Sequence, residues 1–151
     1  MTPGPWAFSH SDEVRFSDLD VMGHLNNVAF LVFFESARVA YLRSIIPAHD
    51  PGRGMGFGIM VAENCISYRS PAFLDDRIET LLRPFEVGRT SFRLECEMRV
   101  AERVIADGRA VLVLYDRVAE KPTPLPAGLR ERLLADGARE RPAAPVPLTK
   151  L

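Results

Sequence analysis

At 151 residues the chain suits one domain with a single core, and its 47% hydrophobic and 26% charged content is ordinary for a folded soluble protein. A formal net charge of -1 leaves no basic surplus for nucleic acid or an anionic membrane surface, and no run approaches the roughly 20 apolar residues of a membrane span. Two cysteines, Cys65 and Cys96, are too few and too isolated for a disulfide framework or a zinc site.

The opening MTPGPWAFSH lacks the basic and apolar regions of a secretion signal, so a cytoplasmic location is expected. Residues 1 to 11 read as a loose lead-in. DEVRF alternates, with Val14 and Phe16 on one face, and is expected to form a short strand. A polar loop follows, carrying Asp18, Asp20, Gly23, His24, Asn26 and Asn27. From about Asn27 to Ile46 the chain has no glycine or proline and predicts a long helix stopped by Pro47. Its first two turns, VAFLVFF, are apolar all round, which implies burial on every side.

A Pro/Gly loop, PAHDPGRGMGFG, leads into four expected strands over residues 58–70, 76–87, 91–100 and about 104–118. SFRLECEMRV is the clearest, because apolar and charged residues alternate along it. In the last strand, Asp107-Gly108 marks a bulge or a bend. A short helix is expected at 127–135, between Pro126 and Gly137. Residues 1–138 form the single expected domain, and the Pro- and Ala-rich segment 139–151 reads as a disordered tail. One helix that is apolar all round needs a strongly curved antiparallel sheet wrapped about it, so the fold class is α+β. Pairing with another copy would cover the sheet edges.

The glycines at 52, 54, 56 and 58 do not make a phosphate loop, because this loop leaves a helix and enters a strand. No GxSxG elbow and no HExxH motif occurs. Cys65 and Cys96 read as core residues, and Glu35 as a partner of Arg38 or an interface group, with a carboxylate facing a reaction site as the alternative. The polar loop carries the chemistry. One asparagine is enough to cap a helix, which leaves Asp18, Asp20, Gly23 and His24 unexplained. A helix start offers N–H groups and partial positive charge to an oxyanion, and a glycine lets a ligand approach the backbone. A carboxylate a few residues upstream then suits acyl transfer at a carbonyl.

At these residues, VRFSDLDVMGHLNNVAFLVFFESAR, the sequence resembles the hotdog-fold acyl thioesterases of the 4-hydroxybenzoyl-CoA thioesterase-like group. The shared pattern is a short strand, D-x-D-x-x-G, and a central helix bearing an acidic residue and a nearby arginine. A second signature of that family, strand-Pro-Ala-x-x-Asp-Asp, reads here ISYRSPAFLDDRIE, and the similarity spans about residues 12 to 118. The resemblance implies a hotdog fold, a curved antiparallel sheet around one long central helix, and an acyl-CoA thioesterase. It implies Asp20 as nucleophile or general base, Asp18 as structural, and backbone N–H groups about Gly23 to Val28 as the oxyanion site. The loop also looks like the acyl-carrier-protein thioesterases of plants, in which Asp, Asn and His are implicated at alternate positions. Asp20 and His24 match that pattern, whereas Met22 stands at the Asn position. His24 therefore polarises the substrate or orients Asp20, or it is a loop residue bonded to the backbone.

By the same resemblance, Asn27 orients the substrate carbonyl or caps the helix, with the cap favoured, and Arg89 binds CoA phosphates or is a solvated hairpin residue, with the solvated reading favoured. Met22, Phe30 and Phe34, with Phe33 and Met60, are the candidates for an apolar acyl pocket. The implied partners are acyl-CoA or acyl-ACP as substrate and further copies of the chain, in a homodimer or homotetramer with sites across the interface. No metal or redox cofactor is implied. The rivals are a hotdog dehydratase or hydratase on acyl thioesters, whose own motif is missing here, and a non-catalytic acyl-thioester-binding protein, which would not need Asp20.

Overall fold

The computed structural model describes residues 5–46 and 58–142. The Pro/Gly loop up to residue 57 and the end of the expected tail, 143–151, lie outside the described residues. A 19-residue run without glycine or proline forms the helix α1, Asn27–Ile45, about 28 Å long at 1.5 Å per residue. It buries Phe30, Phe33, Phe34, Ala37 and Tyr41 against the sheet. Each buried phenylalanine contributes roughly 1.5–3 kcal/mol by leaving water.

The sheet is antiparallel along its main path. Strands β1 (Phe8–Glu13), β2 (Gly58–Tyr68), β3 (Arg77–Val87), β4 (Ser91–Val100) and β5 (Arg103–Asp116) take the order β1-β3-β4-β5-β2 and curve about α1. Along β4, Phe92, Leu94, Cys96 and Met98 face the core, while Arg93, Glu95, Glu97 and Arg99 face outward. The core is thus the space between this concave face and α1, which is the hotdog arrangement the two signatures imply. Short β6 (Lys121–Pro122) pairs antiparallel with the end of β5, and α2 (Ala127–Ala135) occupies its expected bounds. Tyr41 ties α1 to the end of α2, its hydroxyl donating to Asp136 Oδ2 at 2.7 Å.

Four features depart from the expectations. The first strand lies earlier than DEVRF. It pairs Phe8 to Glu13 with Leu82 to Arg77, and half-buried His10 and Asp12 occupy its inward positions, which hides the alternation. Phe16 sits instead on a 3-10 turn closed by Asp18, and is 82% exposed. Asp107-Gly108 is not a bulge, since β5 runs unbroken there and the register shifts fall at Val61/Glu63, Pro84/Glu86 and Met98/Arg99. Gly108 is required by closeness: a Cβ on it would stand 2.8 Å from the Cys65 carbonyl oxygen and 3.0 Å from Ile66 Cγ1. Arg139–Glu140 form β7, parallel to the end of β3, so sheet structure continues past residue 138.

The fourth departure concerns α1. Its burial in the chain is one-sided, because Val28, Leu31, Val32 and Val39 stay exposed. The strand β2 is open as well. Its neighbour is β5 on one side, no described strand pairs with the other, and none of its eleven residues is fully buried. An apolar stripe and an unpaired edge on one protomer leave the sheet unfinished.

Candidate active site

The loop between β1 and α1 is held by its own backbone together with the side chains of Asp18, Asp20 and Asn26. Asp18 is buried and closes the 3-10 turn, accepting the Arg15 backbone N–H at 2.8 Å and the Arg15 side chain at 3.1 and 3.2 Å. The Arg15 side-chain hydrogen bond holds the Asp18 carboxyl below the usual carboxylate range. Asp18 is thus structural. Two residues on, Asp20 Oδ1 accepts the N–H groups of Met22 at 2.9 Å and His24 at 3.2 Å, and the Asp20 N–H donates to the His24 carbonyl at 2.8 Å. This closed turn needs Gly23, whose φ of 77° lies in the left-handed region. Among the described residues, no donor engages the second carboxylate oxygen, Oδ2.

The start of α1 resolves the two asparagines. Asn26 is the cap, its side chain accepting the Val28 N–H at 3.0 Å. The cap role favoured for Asn27 therefore falls to its neighbour, and the Asn27 side chain is free to face the site. The backbone donors sort themselves in the same way. Gly23 donates to the Asp20 carbonyl, His24 to Asp20 Oδ1, Leu25 to the Ala72 carbonyl, Asn26 to the Asp18 carbonyl and Val28 to Asn26 Oδ1. Of the expected donors from Gly23 to Val28, Asn27 alone keeps an N–H without an acceptor among the described residues. It is also the first residue of α1, where the helix dipole is positive.

The second sequence signature meets this loop in space. The Ala72 carbonyl receives the Leu25 N–H at 2.8 Å, and Phe73 receives the His24 ring edge-on, with centroids 5.4 Å apart. Asp76 Oδ2 in turn accepts the Phe73 N–H at 2.9 Å. Asp20, His24, Leu25, Asn27 and Phe30 from the loop and helix line one cavity of about 400 Å³ with Tyr68, Arg69, Ser70 and Pro71. The His24 ring makes no hydrogen bond to Asp20, so the backbone of His24, not its imidazole, orients that carboxylate.

The other sequence candidates lie elsewhere. Phe34, one turn beyond Phe30, is fully buried against Arg38 in the core, and Phe33 is buried as well. Met22 is exposed at the loop tip and Met60 on β2, outside the cavity. Glu35 points into solvent, 3.9 Å from the buried Arg38 guanidinium. Arg89 lies in the β3–β4 hairpin, in a separate depression of about 460 Å³ with Arg130 and Arg141. Burial pushes the Cys96 thiol up to about 12, which suits a packed core residue, whereas Cys65 is exposed on β2. Tyr68, Arg69 and Ser70 were not singled out in the sequence, although they lie inside the second signature.

A larger depression of about 660 Å³ lies on the outer face of the sheet. Its charges neutralise one another: Arg83 and Arg109 both reach Glu95, at 2.7 and 3.5 Å, and Arg83 also stacks on Trp6. It has no part of the Asp20 loop. Among the described residues, no three His, Cys, Asp or Glu side chains are gathered to hold a metal ion. No described helix is long and apolar enough to cross a membrane.

Residues 14–133 match the model of the thioesterase-like superfamily. A thioesterase from Thermus thermophilus, solved in complex with coenzyme A and zinc, is 34% identical, with a TM-score of 0.75 over 86% of this chain and 93% of that one. A thioesterase superfamily protein from Jannaschia sp. CCS1 is 26% identical, with a TM-score of 0.81 over 92% and 89% of the two chains. Curated relatives match over shorter stretches. One from Aquifex aeolicus is 29% identical over 85 residues, 56% of this chain and 66% of its own length. One from Bacillus subtilis is 38% identical over 40 residues, 26% and 27% of the two lengths. The chain thus spans less than two thirds of either curated relative.

Proposed function

The chain belongs to the thioesterase-like superfamily, and on that premise we propose that it hydrolyses acyl-CoA thioesters to the free acid and coenzyme A. One observation carries the reading: Asp20 Oδ2, a carboxylate oxygen without a donor among the described residues, and the helix-start N–H of Asn27, without an acceptor among them, belong to residues lining the same cavity. The thioester carbonyl oxygen would accept the N–H of Asn27, a residue that lines the cavity. As the tetrahedral oxyanion forms, that fixed donor and the helix dipole stabilise it.

Asp20 then acts in one of two balanced ways. Its Oδ2 attacks the carbonyl carbon, the C–S bond breaks, and coenzyme A leaves as thiolate from a mixed anhydride that water hydrolyses. Alternatively Oδ2 takes a proton from a water, whose oxygen attacks, and the same C–S bond breaks. A single turnover in 18O-labelled water separates them, since only the anhydride route leaves a label in the Asp20 carboxylate when water cleaves at the aspartyl carbonyl. A thiol-release screen over acyl-CoA esters of graded length tests the activity. Release from none of them, or equal release from Asp20→Asn, contradicts the reading.

We further propose that the working unit is at least a homodimer joined through β2. The exposed stripe of α1 and the open edge of β2 both call for cover, and a second copy supplies apolar residues and a strand edge together. Antiparallel pairing of the two β2 strands brings the Tyr68 end of one to the Gly58 end of the other. The partner's Met60 and the partner's Arg117 would then border the cavity. This also bears on Arg89, which lies past the far end of the 11-residue strand β3, roughly 35 Å at about 3.3 Å per residue from the end nearest its own site loop. If Arg89 binds CoA phosphates, it serves the site of the other copy.

A further inference from the structure

We infer that Tyr68 positions the start of α1 for catalysis and forms the wall against which the acyl group lies; this rests on the thioesterase reading. Tyr68 ends the open strand β2, 41 residues from Asn27 in sequence, and half of it is exposed. Its hydroxyl donates to the Asn27 carbonyl at 3.3 Å, and its ring stands edge-on to Phe30 with centroids 5.1 Å apart. Both Asn27 and Phe30 line the cavity with Asp20.

Core filling does not explain this placement. A half-exposed phenol can find water for its hydroxyl without reaching α1. What the hydroxyl does is tie an edge strand to Asn27, the one residue from Gly23 to Val28 whose N–H has no acceptor among the described residues. An oxyanion donor acts only when its direction is fixed before the reaction, and small misplacements are costly. The ring has a separate task. Tyr68 and Phe30 give the cavity two aromatic surfaces beside the Asn27 amide, so an acyl chain leaving the carbonyl would lie along them.

Two variants separate the tasks. Tyr68→Phe keeps the ring and removes the bond: kcat should fall about three- to tenfold, as for one exposed hydrogen bond, with KM nearly unchanged and the acyl-length ranking intact. Tyr68→Ala also removes the wall, so affinity for long acyl chains should fall more than for acetyl. Binding of S-alkyl-CoA thioethers of graded length reads that second effect without turnover. Thermal midpoints and sedimentation would be followed in parallel. Unchanged kcat in Tyr68→Phe together with an unchanged length ranking in Tyr68→Ala overturns the inference. So does an equal loss for every chain length in Tyr68→Ala that tracks a lower thermal midpoint, which is the mark of a structural role. A wild-type protein that neither hydrolyses nor binds any member of either series removes the thioesterase reading instead, and this inference with it.

Discussion

Asp20 and His24 are joined through the backbone of His24 and not through its ring, by the Asp20 N–H to the His24 carbonyl at 2.8 Å and the His24 N–H to Asp20 Oδ1 at 3.2 Å. The imidazole turns away to Phe73. The carboxylate is therefore oriented by bonds that any residue at position 24 with an N–H provides. His24→Ala should lower kcat by less than about tenfold, whereas loss of a general base costs about 10²–10⁴-fold. Steady-state hydrolysis of the best substrate checks this.

The adjacent asparagines should behave oppositely. Asn26→Ala removes the cap and should cost about 1 kcal/mol in a denaturant titration, with a smaller effect on rate. Asn27→Pro deletes the free N–H itself. Proline suits the first helical position, and Asn26 already has the extended conformation (φ -63°, ψ 139°) that proline imposes on its predecessor. The protein should fold while kcat falls about 10²–10³-fold, the cost of an oxyanion donor. Asn27→Ala, which keeps the N–H, should retain more of the rate.

Asp18 supplies a pH signature. Its folded pKa lies below the unfolded value of about 3.9, because Arg15 favours the ionised form. The stability it contributes is complete above the unfolded value and is lost as pH falls through the folded one. Asp18→Asn should lower the thermal midpoint at neutral pH, and the gap to wild type should close on acidification below about 3.9. Thermal scans from neutral to acid pH would show it.

Val32 reports on assembly. It is 45% exposed in the protomer, so Val32→Glu costs the isolated chain little. Buried in a helix-to-helix contact between copies, the same charge is unfavourable by several kcal/mol. Sedimentation should then shift from dimer to monomer, with activity falling in step if the partner's residues border the cavity.

How much of this was legible in the sequence depended on where the determining contacts lay. The bounds of α2 were legible because Pro126 and Gly137 are local signals, and β4 because its alternation is local. The first strand was hidden, since its inward residues His10 and Asp12 are polar and only pairing with β3 defines it. Within the site, D-x-D-x-x-G marked Asp20 and Gly23 by residue type and spacing. Phe30 and Phe34 were indistinguishable, because four residues apart they share one helix face. Only the position of the helix start decides that Phe30, though in the core, also borders the cavity while Phe34 lies wholly in the core. Tyr68 lay beyond reach of spacing, since its bond to Asn27 exists only once β2 has folded against the start of α1.

The most direct test of Asp20 as the reactive carboxylate is thiol release by wild type and Asp20→Asn over a panel of acyl-CoA esters. An asparagine keeps the Oδ1 that holds the Met22 and His24 N–H groups, so the loop should stay in place and only the reactive oxygen changes. With circular dichroism and sedimentation matched to wild type, the variant should lose hydrolysis of every substrate by about 10³-fold or more. An Asp20→Asn protein that hydrolyses the best substrate at the wild-type rate would contradict the account.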